Sequence, residues 1–168
     1  PLEESMFKDL RVKHVQTMME LYELEIENIA EGISWINTTD RDYKDYMFWL
    51  EVHKRMLNKV WKWAGQIRKR ELANPDFLMP YEVRPALLQL EGDIKFWLEN
   101  KTFSDKEFAA VVHERFLTIH PFNDGNGRIS RIMMNAELYS KNLSTIIIPN
   151  VYREDYILSL RALSRRSD

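Results

Sequence analysis

The amino-acid sequence predicts an all-α fold interrupted by one small β-hairpin or irregular flap, and three observations lead there. Apolar residues recur at three- and four-residue spacings along most of the chain, the signature of helices that bury one face. Short polar breaks built from Asn, Asp, Thr or Pro divide those stretches, as helix ends and caps do. The helical pattern lapses once, over Gln66 to Pro80, where an Asn74-Pro75 turn signal sits between short mixed segments. With 168 residues, 45% of them hydrophobic and 30% charged, the chain has the size and composition of one globular domain with an ordinary core.

The first element is an amphipathic helix expected from about Val12 to Trp35. Its apolar residues are Val15, Met18, Met19, Leu21, Tyr22, Leu24, Ile26, Ile29 and Ile33, and its polar face is acidic. Asn37, Thr38, Thr39 and Asp40 break it and can cap the next helix, which carries Tyr43, Met47, Leu50, Met56, Leu57, Val60 and Trp61. The flap, 66–80, follows Ala64 and Gly65. Helical spacing resumes at about Val83 to Leu98 and again at Asp105 to Leu117, where Phe108, Val111, Val112, Phe116 and Ile119 face a core until Pro121 stops the helix. Another helix starts near Arg128 and holds Ile129, Ile132, Met133, Ala136 and Leu138. An extended apolar piece, Thr145 to Pro149, and a last helix from about Glu154 to Leu163 complete the chain. The expected organisation is a single domain over 1–168, with an N-terminal helical region at 1–40, a core at 41–141 and a C-terminal extension at 142–168.

Composition excludes several function classes. The chain has no cysteine, so disulfides, thiolate nucleophiles and Cys-ligated zinc are ruled out, and a reducing cytoplasm is the expected setting. No apolar run approaches the roughly 20 residues needed to span a bilayer, so no membrane association is expected. The N-terminus lacks the basic start and apolar core of a secretory signal, and Pro1 points to a natural start upstream. A net charge of −2 gives no general attraction to nucleic acid, although Arg161, Arg165 and Arg166 make the C-terminus locally basic.

The chemistry concentrates in one segment, His120 to Arg131, reading HPFNDGNGRISR. His120 follows an apolar helix and precedes a polar loop, so its imidazole, which titrates near neutrality, can act as a general base there. His14, His53 and His113 lack such company and are read as structural. Asp124 suits a Mg²⁺ ion shared with substrate phosphates, or a turn. Asn126 is open to the same two readings, as a phosphate-holding amide or a turn former. Gly125 and Gly127 permit positive φ and close backbone approach, so the amides around them can point together at an anion. Arg128 and Arg131 lie three apart at the start of a helix, where their charge opposes the helix dipole unless an anion is bound. Phe122, an aromatic in a polar loop, is expected to plug into the core as an anchor. The segment fits neither a P-loop, lacking the Gly-Lys-Ser/Thr ending, nor a dinucleotide fingerprint.

The segment resembles the Fic family signature HPFx[D/E]GNGRxxR and matches it at every specified position. The stretches VWKWAGQIR, at Val60 to Arg68, and AVVHERFLTIH, leading into the motif, are similar to the family as well. The resemblance implies a helical Fic core with a flap, and an adenylyltransferase that moves AMP from ATP to a Tyr, Thr or Ser hydroxyl of a target protein. It further implies that His120 deprotonates the hydroxyl, Asp124 holds Mg²⁺, and Gly125, Asn126 and Gly127 form an anion hole. Arg128 and Arg131 would bind the distal phosphates and Asn135 would line the nucleotide site. The flap, near Leu72 to Met79, would register the target by strand-like pairing. Doc toxins, which resemble this family but act as kinases, carry lysine in place of the second glycine; Gly127 keeps the adenylylating form, which leaves Doc-like phosphoryl transfer as the runner-up chemistry. The layout is also similar to the Fic-type group called mobile mystery protein B. Bacterial family members often act as toxins with antitoxins, so an antitoxin-type partner or a homo-oligomer is a further implication, and a restrained nucleotide-binding module is the rival reading. Family members with an inhibitory helix carry (S/T)xxxE(G/N); Glu31 and Gly32 match its last pair, while Glu27 stands at the Ser/Thr position, and Glu27 with Asn28 is an equally partial match. Glu31 is either an inhibitory partner of Arg131 or an ordinary surface glutamate.

Overall fold

The computed structural model describes residues 4–73 and 77–148. The expected Asn74-Pro75 turn, the end of the extended piece at Pro149, the last helix and the C-terminal arginines lie outside the described residues. Among the described residues there are six helices: α1 (Glu4–Phe7), α2 (Met18–Ile36), α3 (Tyr46–Leu57), α4 (Pro80–Asn100), α5 (Asp105–Ile119) and α6 (Asn126–Ser140). No helix among the described residues is long and apolar enough to cross a membrane. The chain packs as two compact units that interleave in sequence. One holds the residues up to Arg68 together with Phe122–Gly125, and the other holds Lys69–Pro121 and the residues from Asn126 on.

In the first unit α2 packs on α3. The sequence expectation started α2 too early, because Thr17 caps it. The Thr17 hydroxyl accepts from Glu20 N–H at 3.3 Å, and Glu20 Oε2 accepts from Thr17 N–H at 3.1 Å. That reciprocal pair is legible as Thr-x-x-Glu. The buried face of α2 is also not the expected one. Leu21, Asn28 and Gly32 are buried, whereas Met19, Tyr22, Ile26 and Ile33 are exposed. Two local facts cause this. Asn28 bridges to α3 and its C-terminal end, donating Nδ2–H to Arg55 O at 2.8 Å and accepting from Lys59 N–H at 2.9 Å. Gly32 lies so close to α3 that a Cβ there would stand 2.9 Å from the Met56 backbone. Past α3 the chain turns, and Leu10 pairs with Trp61 in a single antiparallel bridge. Around these contacts sit the buried side chains of Val15, Phe48, Trp49, Val52, Met56, Leu57 and Val60.

In the second unit α4 packs on α5, and α5 on α6. α4 begins at Pro80, which suits a first helical position because its missing N–H has no intrahelical role there. Ser104 and Glu107 form a capping box on α5. Lys141, just past α6, pairs with Asp105 and Glu137, and both carboxylates raise the lysine above its ordinary value. Val83, Leu87, Leu90, Ile94, Phe108, Val112, Phe116, Ile129 and Met133 fill the core. The apolar piece 145–148 carries Ile146 and Ile148 against Ala109, Met134 and Leu138. Within 66–80 the described residues contain no strand.

Candidate active site

The predicted segment falls partly in each unit, and each part is built by different means. In the first unit, Phe122 is fully buried and its ring lies 3.7 Å from that of His53 at an interplanar angle of 4°. Gly65 N–H donates to His53 Nδ1 at 2.8 Å, so Nδ1 is the unprotonated nitrogen. The proton therefore sits on Nε2, which donates to the Asp124 carbonyl at 2.9 Å. Trp63 also stacks on His53, with centroids 5.8 Å apart, and Trp61 stacks on Trp63 at 5.1 Å. Gly125 adopts φ 82°, and a Cβ there would come 3.2 Å from His53 Nε2 and 3.3 Å from Leu57 Cδ1. Only glycine fits that conformation without strain. The Asp124 side chain is exposed, and its Oδ1 accepts from Gly125 N–H at 2.6 Å. An exposed carboxylate is a hard oxygen donor that fits Mg²⁺ shared with substrate oxygens. No group of three His, Cys, Asp or Glu among the described residues could cage an ion alone.

In the second unit, His120 is the C-cap of α5 with φ 49° and ψ 60°, and its N–H donates to Phe116 O at 3.0 Å. A left-handed non-glycine residue costs about 1 kcal/mol and persists where its surroundings fix it. Its imidazole is fixed twice. Nδ1 lies 3.2 Å from Leu117 O, and a carbonyl only accepts, so Nδ1 carries the proton and Nε2 keeps the lone pair in the neutral ring. The ring also stacks on Phe77 of the 66–80 segment, with centroids 4.1 Å apart.

α6 starts at Asn126, two residues earlier than expected, and Asn126 is buried. Gly127 is therefore inside the first helical turn and has no positive φ, a correction to the reason assigned it from sequence. A Cβ there would stand 3.3 Å from Arg131 Nη1, so its small size leaves room for that guanidinium. Arg128 is half-buried and Arg131 exposed, both in the first two turns of α6, near the positive end of the helix dipole. Behind them His113 is buried, and burial pushes its imidazole below the ordinary value; the Arg131 charge adds to this, while a bond to the Ser130 backbone opposes it. Asn135 donates to Arg131 O at 3.1 Å, and its amide both donates to and accepts from the Ile146 backbone, at 3.0 and 2.7 Å. Glu31, in the first unit, accepts from Lys59 Nζ at 2.5 Å in an exposed pair.

Sequence reasoning gave His53 a structural role and missed its grip on the loop. Its partner Asp124 lies 71 positions away, so no local spacing carries the signal. Phe77 was likewise unassigned.

Residues 44–138 match the model of the Fic/DOC family. The chain is 30% identical over 141 residues to a protein adenylyltransferase Fic of Aedes aegypti, covering 79% of this chain and 28% of that protein. It is 34% identical over 115 residues to the protein adenylyltransferase fic-1 of Caenorhabditis elegans, covering 66% of this chain and 22% of the other. The chain thus spans about a quarter of the length of these curated relatives. Among solved structures, residues 134–508 of Caenorhabditis elegans Fic-1 align with a TM-score of 0.65 at 26% identity, over 91% of this chain and 46% of that one. The BepC protein of Bartonella tribocorum, solved with bound AMPPNP, aligns with a TM-score of 0.61 at 22% identity, over 75% and 70% of the two chains, a likeness of fold.

Proposed function

Because the chain belongs to the Fic/DOC family, we propose that it is a protein adenylyltransferase, transferring AMP from ATP to a Tyr, Thr or Ser hydroxyl of a target protein. The observation that carries this reading is the state of His120, whose Nδ1 is tied to Leu117 O so that Nε2 holds the basic lone pair. In the proposed reaction Nε2 takes the hydroxyl proton as the oxygen bonds to the α-phosphorus, the bond from that phosphorus to the β-bridging oxygen breaks, and pyrophosphate leaves. Backbone N–H groups at Gly125, Asn126 and Gly127 would hold the α-phosphate, and Arg128 and Arg131 the β- and γ-phosphates. Asp124 would hold Mg²⁺, which supplies neutralisation of phosphate charge. Asn135, which ties α6 to the Ile146 backbone, would line the nucleotide site, and the flap near Leu72 to Met79 would offer backbone to an extended target segment.

AMP transfer is preferred to Doc-type phosphoryl transfer because Gly127 leaves space that Arg131 uses, which a lysine would fill. We also read 1–168 as one Fic domain, a reading supported by the return of residues 122–125 to the unit of the first 68 residues. A cytoplasmic setting is compatible with the absence of cysteine.

The test incubates the protein and His120→Ala with α-labelled and γ-labelled ATP, Mg²⁺ and cell lysate. Protein label from the α-phosphate, lost in His120→Ala, is expected. Label from the γ-phosphate would make the protein a kinase, and no label would favour a nucleotide-binding module restrained by an antitoxin-type partner or by Glu31. Glu31→Gly then addresses the restraint: raised self-modification supports it, and unchanged activity leaves Glu31 a surface residue paired with Lys59.

A further inference from the structure

The outer face of α2 carries a second, separate feature. At 100° per residue, Met19, Tyr22, Ile26 and Ile33 fall in one sector about 60° wide, spaced three, four and seven apart. They are exposed to 67%, 51%, 65% and 45% respectively, and half-buried Ile29 continues the row between Ile26 and Ile33. Scattered exposed apolar residues need no explanation, but four aligned along one helix form a continuous patch. The inner face does not need them, since Leu21, Asn28 and Gly32 complete the packing on α3.

The sector beside this row holds Glu20, Glu23 and Glu27, all exposed. α2 reads MMELYELEIENIAEGISWI, with five glutamates and no basic residue. A second copy of α2 laid along the first would bring two wholly acidic helices together, which like-charge repulsion opposes. An apolar row at three- and four-residue spacing, flanked by a carboxylate row, fits a helix of matching spacing with a cationic flank.

We propose that the outer face of α2 is a docking surface for an amphipathic helix of a partner protein, seating an apolar stripe on Met19, Tyr22, Ile26 and Ile33 and a Lys/Arg row against Glu23 and Glu27. The assignment is independent of the adenylyltransferase reading. The contact rests on apolar burial, and its selectivity on charge, so salt weakens discrimination more than binding itself.

The test uses a fluorescent, helix-stapled peptide with leucine at the seam positions and lysine on one flank, and a control with glutamate in place of each lysine. Fluorescence anisotropy at low salt is expected to show the lysine peptide binding about tenfold tighter than the glutamate peptide. The double variant Tyr22→Ser/Ile26→Ser should weaken both by about tenfold, and Glu23→Lys/Glu27→Lys should reverse the preference. All are surface changes, and circular dichroism melting checks that the fold persists. Equal binding of the two peptides, binding unmoved by the Tyr22 and Ile26 changes, or no binding would overturn the proposal. So would a dimer in analytical ultracentrifugation that Ile26→Glu dissolves, because the face would then belong to a second copy.

Discussion

Two histidines, one inside the motif and one packed on its Phe122, carry opposite tautomers. His53 is fully buried, is stacked on Phe122, accepts from Gly65 N–H on one nitrogen and donates to the Asp124 carbonyl with the other. Both nitrogens are committed to backbone, and what they hold is the shape of 122–125. His120 carries the opposite tautomer, with Nδ1 tied to its own helix and the lone pair on Nε2. The difference divides the motif into a part whose backbone is clamped by packing and a part whose side chains carry the proposed chemistry. One is disturbed by adding or removing volume, the other by changing function without changing fold.

The largest effect should come from the acting part. His120→Ala is expected to lower AMP transfer by about 10³-fold, near 4 kcal/mol of barrier, while urea unfolding shifts by no more than about 1 kcal/mol. In the clamped part His53→Ala should reverse that balance. It opens a cavity beside Phe122 and strips partners from Gly65 N–H and Asp124 O, for a loss of about 3 kcal/mol in unfolding free energy. A stability loss under about 1 kcal/mol would mean that the clamp is dispensable and the division wrong.

The two glycines sharpen the contrast. Gly125→Ala forces a side chain into positive φ and against His53 and Leu57, and should cost about 2 kcal/mol by the same denaturation measurement. Gly127→Ala sits in the first turn of α6 and meets only the Arg131 guanidinium. It should leave stability unchanged or raised by about 0.5 kcal/mol, while ATP binding by calorimetry weakens. Equal stability losses from the two would erase the distinction.

The smallest effect is a pH dependence behind α6. Burial holds the folded-state imidazole of His113 below its ordinary value of 6.5, so as pH falls the unfolded chain takes up the proton first. Its contribution is fully present above the ordinary value and is lost as pH drops through the lowered folded-state value. His113→Leu should flatten the slope of melting temperature against pH in that acid range and leave it unchanged at alkaline pH.

The polar residues of the motif and its Phe122 anchor were legible in the sequence and the His53 half of the clamp was not, for physical reasons. His120, Asp124, Arg128 and Arg131 are chemically unusual residues in one short run, so their types and spacing speak directly. His53 speaks only through a partner 71 positions away. The helices at α5 and α6 follow from periodicity, because their buried positions are mostly apolar. α2 misled on its facing, because its inner contacts use the Asn28 amide and the absence of a side chain at Gly32, neither of which a count of apolar residues can register. The same substitution of polar for apolar contact leaves the Met19, Tyr22, Ile26 and Ile33 row facing outward.

The most direct test of the division pairs two measurements on one variant. Calorimetric binding of ATP with Mg²⁺ and transfer of α-labelled AMP are compared between the parent protein and His120→Ala. The account predicts that ATP affinity stays within about threefold while AMP transfer falls by about 10³-fold, the mark of a group acting in the transition state. Transfer that persists, or binding and transfer lost together, would contradict it.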